Sequence, residues 1–291
     1  MIPPALQDDD LLLDIRRSCG EPGLHLWWLG QSGFLIQHEG THFLFDPYLS
    51  DSLTQKYANT DKPHVRITER VIAPERLDFI DVVTSSHNHT DHLDNETLQA
   101  IFRVNPDLKF IIPEANREFV VNRLGVPKIW PVGMDAGKKL IVGAFTVAAV
   151  PAAHPQLERD AQGQHHYLGY IVEFGNWRVY HSGDTVLYDG MTELLHHFQI
   201  DIALLPINGA DPTRRVAGNL DGAEAAQLAA EIGAKLVIPC HFEMFEFNTA
   251  SPKLFEQTAR DLHQPFRTLR AGERCTLDPS QRYQHSGKVL R

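Results

Sequence analysis

From residue 24 onward the chain carries short apolar runs broken by turn residues, the pattern of paired β-strands rather than of long helices. Runs at 24–29, 33–37 and 41–45 are joined through Gly30-Gln31-Ser32-Gly33 and His38-Glu39-Gly40, which predicts an antiparallel meander with tight turns. Ahead of them, Asp8, Asp9 and Asp10 precede Leu11, Leu12, Leu13 and Ile15, and Arg16 and Arg17 follow. That order predicts a short helix over 8–17 with charges matched to its dipole. The polar stretch 50–74 predicts irregular structure, and the β-branched run 79–86 a strand followed by a helix at 95–103. Strand 109–113, helix 114–124, strand 128–132 and a strand region at 140–150 continue the alternation.

The second half repeats the order. Runs at 167–174 and 177–181 flank Gly175-Asn176 and predict a hairpin. Strand 200–207 with helix 221–232, strand 235–240 with helix 252–263, and a last strand at 267–277 follow. No linker, low-complexity segment or sequence repeat divides the chain. Two such halves stacked sheet to sheet predict an α/β fold: a four-layer αβ/βα sandwich, two central mixed sheets flanked by helices, as a single domain over 1–291.

Composition agrees with a packed domain and narrows its partners. Of 291 residues, 43% are apolar and 22% charged, so a sizeable core is expected. The net charge of −10 repels nucleic-acid phosphates, which disfavours a nucleic-acid partner. Nowhere do 18 apolar residues run together, and Met1-Ile2-Pro3-Pro4 does not resemble a secretory leader. A cytoplasmic protein with a small-molecule substrate and no membrane association is therefore expected, with homo-oligomerisation left open. Three cysteines without a CxxC pair argue against a disulfide framework, whereas sixteen histidines direct attention to their spacing.

One cluster stands apart: His87-Asn88-His89-Thr90-Asp91-His92 places three imidazoles and a carboxylate on the loop between a predicted strand and helix. In extended backbone, residues two apart point the same way, so His87 and His89 can bind one metal while Asp91 and His92 face a second. His154, Asp184 after the tight Ser182-Gly183 turn, and His241 each lie at or beside the end of a predicted strand and supply what that loop lacks. The mixed nitrogen and oxygen donors suit two divalent ions, zinc first, with manganese or iron as alternatives.

HxHxDH, a later histidine, SGDT and a strand ending in PxH, in that order, resemble the ligand signature of the metallo-β-lactamase superfamily. Trp28-Leu29-Gly30-Gln31-Ser32-Gly33-Phe34, Asp46-Pro47, Tyr180-His181-Ser182-Gly183-Asp184 and Val237-Ile238-Pro239-Cys240-His241-Phe242 make it most similar to the branch containing L-ascorbate-6-phosphate lactonase. The resemblance spans about residues 24 to 277. It implies that His87, His89 and His154 hold one metal, that Asp91, His92 and His241 hold the other, and that Asp184 bridges them. It further implies hydrolysis by a hydroxide shared between the ions, with Asp91 orienting it. The expected substrate is a small polar lactone or ester, with or without a phosphate group. The alternatives are a phosphodiester such as a cyclic nucleotide or phospholipid, a nuclease activity, or a non-catalytic metal-binding protein.

Other features read more plainly. Arg214, Arg215 and Asn219 follow a predicted strand on the catalytic side and are candidate substrate contacts, two arginines there being able to grip a phosphate. Gly30-Gln31-Ser32-Gly33 lacks a P-loop lysine and reads as a turn, Trp27 and Trp28 as core, and His181 as a buried histidine bonded to a neighbour.

Overall fold

The computed structural model of the chain describes residues 1–278. Residues 279–291, included in the expected domain span, lie outside the described residues. Helix α1 (Asp8–Ser18) leads into the meander β1 (Leu24–Gly30), β2 (Gly33–His38) and β3 (Thr41–Phe45). Next come α2 (Ser52–Tyr57), β4 (Val82–Thr84), α3 (Asn95–Val104), β5 (Lys109–Pro113), α4 (Arg117–Leu124), β6 (Val132–Met134), β7 (Lys139–Val142) and β8 (Phe145–Pro151). The second half holds β9 (Leu168–Phe174), β10 (Trp177–His181), α5 (Met191–His196), β11 (Ile202–Pro206), α6 (Gly222–Glu231), β12 (Leu236–Cys240), α7 (Lys253–Asp261) and β13 (Arg274–Leu277).

Two mixed sheets result, ordered β13-β1-β2-β3-β4-β5-β6 and β12-β11-β10-β9-β8-β7. In the first, β13, β1, β2 and β3 pair antiparallel, and β3 through β6 pair parallel. In the second, β7 through β10 pair antiparallel and β10, β11 and β12 parallel. The expected architecture of two mixed sheets flanked by helices is what forms.

Alternation along β1, β2 and β3 explains why their sequences are apolar on both faces. Leu24, Leu26, Trp28, Phe34, Ile36, Phe43 and Phe45 belong to the core between the sheets, with Val147, Tyr170, Val172 and Phe174 of the second sheet. The intervening Trp27, Leu29, Leu35 and Leu44 pack instead with Leu11, Leu12 and Ile15 of α1 and Leu98 and Ile101 of α3. A strand covered on both faces has no solvent side on which to place polar residues. Helix α6 starts where Asp221 closes a capping box: its Oδ1 accepts from Ala223 N at 2.8 Å and Glu224 N at 2.9 Å, while Glu224 Oε2 accepts from Asp221 N at 2.9 Å. No helix among the described residues is long and apolar enough to cross a membrane.

Four elements differ from the sequence expectation. The stretch 50–74 contains the short helix α2. Strand β4 is only three residues long, and ahead of it Ile80 N donates to the Asn105 side chain at 2.9 Å rather than to a neighbouring strand. Strand β6 begins at Val132, beyond Pro131, with Lys128 O already accepting from Arg117 at 2.6 Å. The last strand is confined to β13, since Gly272 turns at φ 77° and a Cβ there would stand 2.0 Å from Leu6 O.

Phe43 sits fully buried at the sheet-to-sheet contact, its ring 4.6 Å from Phe45, 5.1 Å from Phe145 and 5.8 Å from Phe174. Phe43→Ala is expected to lower stability by about 3–5 kcal/mol through lost burial and the cavity left behind. Urea unfolding checks this as a lower midpoint at unchanged slope, and an unshifted midpoint would contradict it.

Candidate metal centre

Four strand ends meet at one edge of the sandwich. The loop after β4 brings His87, His89, Asp91 and His92; the segment after β8 brings His154, the turn after β10 brings Asp184, and the residue after β12 is His241. Their donor atoms fall into two groups, His87 with His89 and His154, and Asp91 with His92, Asp184 and His241, the atoms of each group lying within 4.8 Å of one another. All seven residues singled out as metal ligands in the sequence are thus gathered, in the two sets expected apart from Asp184.

Asp184 joins the groups. Its Oδ1 lies 3.2 Å from His92 Nε2, and its Oδ2 lies 3.3 Å from His241 Nε2 and 3.6 Å from His154 Nε2. Although His92 Nε2 and Asp184 Oδ1 are that close, neither is aligned for a hydrogen bond, and His87 Nε2 is likewise buried without a partner among the described residues. Buried polar atoms are nearly always satisfied, so an approach this near without alignment leaves room for an atom that both can bind. The donor set of imidazole and carboxylate fits divalent cations there.

The other ring nitrogens are pinned. His87 Nδ1 meets Ser86 Oγ at 3.0 Å, His154 Nδ1 meets Gly218 O at 3.0 Å, and His92 Nδ1 meets Asp46 Oδ2 at 2.7 Å. Each bond aims the opposite Nε2 into the centre, the usual support of a metal-binding histidine. Asp46 also accepts from Thr84 Oγ1 at 2.8 Å and from Ser86 N at 3.0 Å, so one buried carboxylate organises the whole histidine loop. Arg123 of α4 grips that loop from outside, donating to Asn88 O at 2.8 Å and Thr90 Oγ1 at 2.6 Å.

The two groups differ in charge. Burial pushes His154 down to about 4 and His87 well below the ordinary histidine value, so the imidazoles of the first group are neutral. Burial would do the same to His241, but the Asp184 and Asp91 carboxylates outweigh it and raise His241 to about 9. Against the same burial penalty, Asp184, Asp91 and Asp46 hold His92 well above its usual range. Burial opposes ionisation of Asp184 too, yet His241 and His92 keep it well below the carboxylate range.

Residues 41–242 match the family model of the beta-lactamase superfamily domain. The chain belongs to the beta-lactamase superfamily. A UPF0173 metal-dependent hydrolase from Carboxydothermus hydrogenoformans is 28% identical over 87% of this chain and 100% of its own length. Among solved structures, the metallo-beta-lactamase fold protein YhfI from Bacillus subtilis shares the fold at a TM-score of 0.63, with 19% identity over 88% of this chain and 100% of that one. The isothiocyanate hydrolase from Delia radicum gut bacteria does so at 0.68, with 18% identity over 87% of this chain and 99% of that one. This superfamily member is a metal-dependent hydrolase.

The remaining expectations for this hydrolase fare differently. Arg214 is committed within its own loop, donating to Asn208 O at 2.6 Å and Thr249 O at 3.0 Å, and Arg215 pairs with Asp61. Both guanidinium groups thus have protein partners, Arg214 within its loop and Arg215 at the surface. Asn219 is buried, donates to Asn208 Oδ1 at 3.0 Å, and braces the loop whose Gly218 O anchors His154. His181 is buried as expected, bonded to Ser32 O at 2.8 Å and stacked on Phe45 at 4.9 Å. Three residues escaped the sequence reading as parts of the site. Asp46 lay inside a motif that carried only the resemblance, Gln31 in a stretch read as a turn, and Tyr167, whose ring is 5.3 Å from His87 and 5.6 Å from His154, carried no local signal.

Cation uptake follows from the charges. If each group takes a cation, the first, with imidazoles already neutral, would release no protons near pH 7, whereas His92 and His241 would have to lose theirs. Between about pH 6.5 and 9 the second equivalent should therefore tighten as pH rises, by about tenfold per pH unit for each proton displaced. Calorimetric titration in buffers of different ionisation enthalpy measures the released protons, and proton release equal for both equivalents would refute the assignment. Gly183, at φ 59°, has room for no side chain, as a Cβ would stand 2.6 Å from Ser86 Cβ and Oγ. Gly183→Ala is expected to cost about 1–3 kcal/mol in strain and to weaken the first cation through Ser86. Thermal unfolding with a metal titration checks both.

Proposed function

We propose that this protein hydrolyses a small ester or lactone with two divalent cations, one held by His87, His89 and His154, the other by Asp91, His92 and His241, with Asp184 shared between them. The observation that carries this reading is the approach of Asp184 to one imidazole of the first group and two of the second. Cations held there would supply Lewis acidity and let water ionise near neutral pH. Zinc is the first choice, with manganese or iron as alternatives.

The chain's own residues do the positioning. Asp91 is the member of its group that solvent partly reaches, its side chain 16% exposed, so it is placed to orient an attacking water. An aromatic group also feels this carboxylate: Asp91 opposes the lowering of His64 by burial, and His64 stacks on Tyr57 at 4.2 Å and meets Phe247 edge-on at 4.5 Å. With Arg214 bonded to loop carbonyls and Arg215 paired with Asp61 at the surface, an uncharged acyl substrate is better supported than a phosphorylated one. Phosphodiester cleavage is the second reading, because Lewis-acid centres of this donor type also serve phosphoryl oxygen.

The test is a panel of lactones, carboxylic esters and bis(4-nitrophenyl) phosphate, offered to protein stripped by chelation and reloaded with zinc, manganese or iron. Ester or lactone turnover should vanish on stripping, return with metal, and fall in Asp184→Asn by more than the roughly 10–100-fold that loss of an outer supporting group costs. Turnover indifferent to chelation would sink the proposal, and cleavage of the phosphodiester alone would replace it with the second reading.

A further inference from the structure

The turn between β1 and β2 does more than reverse the chain. Gln31 is fully buried there, with its backbone at φ 50°, a conformation that a side-chain-bearing residue adopts only when its surroundings hold it. Two bonds to one oxygen do so: Gln31 O accepts from Trp28 Nε1 at 2.9 Å and from His241 N at 2.9 Å. Gln31 is therefore tied to the residue at the end of β12 that carries a proposed metal ligand.

Its side chain lies among the donor atoms of the second group. Gln31 Nε2 is 2.8 Å from Asp91 Oδ2 and 2.9 Å from His241 Nε2, and Gln31 Oε1 is buried with no hydrogen-bond partner among the described residues. These positions conflict with a cation at the same donors. An N–H group beside Asp91 Oδ2 and His241 Nε2 would turn its positive end toward the ion those atoms hold. The amide nitrogen and oxygen exchange places on a half-turn of the carboxamide, and after that turn a carbonyl oxygen faces the ion instead.

We propose that Gln31 is a fifth side chain of the second cation site, binding through Oε1. This rests on the two-cation reading above and deepens it. The second site then offers two carboxylates, two imidazoles and a carboxamide, while the first offers three imidazoles and its share of Asp184. Zinc is content with four donors and takes nitrogen readily, whereas carbonyl and carboxylate oxygens in larger number suit manganese. The second site consequently prefers the harder, higher-coordinate ion, and the two positions differ in metal preference.

The experiment titrates chelator-stripped full-length protein with Mn2+, followed by the electron paramagnetic resonance signal of the free ion, and separately with Zn2+ by calorimetry. Wild type, Gln31→Ala and Gln31→Glu are compared, with thermal unfolding to confirm that each variant is folded. Wild type should bind two equivalents. In Gln31→Ala the first equivalent should keep its affinity and the second Mn2+ should weaken by about tenfold or more. Zn2+ should weaken less at the second position, and Gln31→Glu, which restores an oxygen, should recover Mn2+ binding. A second Mn2+ equivalent as tight in Gln31→Ala as in wild type would overturn the proposal, and so would equal weakening of both equivalents, the mark of a merely structural residue. Should wild type itself bind fewer than two ions, the two-cation reading fails with it, an outcome visible in the wild-type curve alone.

Discussion

A carboxylate removed from water needs compensating partners, and Asp184, with a side chain only 4% exposed, finds imidazoles brought from three other strand ends. His92 comes from the loop after β4 in the first sheet, His154 and His241 from the ends of β8 and β12 in the second. One buried charge thereby fixes how the two sheets register at this edge. A packing that displaced either sheet would strand Asp184 among apolar walls, a penalty large beside the net stability of a folded chain. The core between the sheets, with Trp28, Phe43 and Phe174, supplies the general attraction, but apolar burial has no directionality of its own to single out one register. The ionic centre removes that freedom.

Three of the nine non-glycine residues with positive φ among the described residues support this edge. Gln31, Asp46 and His241 all adopt positive φ without being glycine, and each has bonds that hold it there. Asp46 is fastened by Thr84, Ser86 and His92, and His241 N by Gln31 O. Such conformations persist when the surroundings over-determine them, and here those surroundings are the supports of the candidate ligands. The fold and the site therefore cannot be separated into a scaffold and an attachment.

Much of this was legible in the chain because local pattern and tertiary role agree. The meander β1–β3 and the hairpin β9–β10 announce themselves by apolar runs around turn residues, and α6 by the Asp221 and Glu224 box. The ligand loop was visible because imidazoles at that density and spacing have few other uses. What stayed hidden depends on contacts remote in sequence. Ile80, ahead of strand β4, is bonded to Asn105, and Arg214 to Thr249, neither of which leaves a mark at the residue affected. Gln31 is the sharpest case: its turn residues predict the turn correctly, yet only the arrival of His241, 210 positions later, gives the side chain its place.

The same geometry makes the two halves of the centre unequal and yet linked. Three imidazoles kept neutral by burial can accept a cation directly, while His92 and His241 are held protonated by Asp91 and Asp184. Under the two-cation reading, a first ion competes for the Asp184 oxygen that also faces His241, so it weakens the carboxylate's hold on the proton of that ring. Filling one side then eases deprotonation of the other, in opposition to the mutual repulsion of two cations. Which effect dominates is set by how much of the repulsion the shared carboxylate and Asp91 screen.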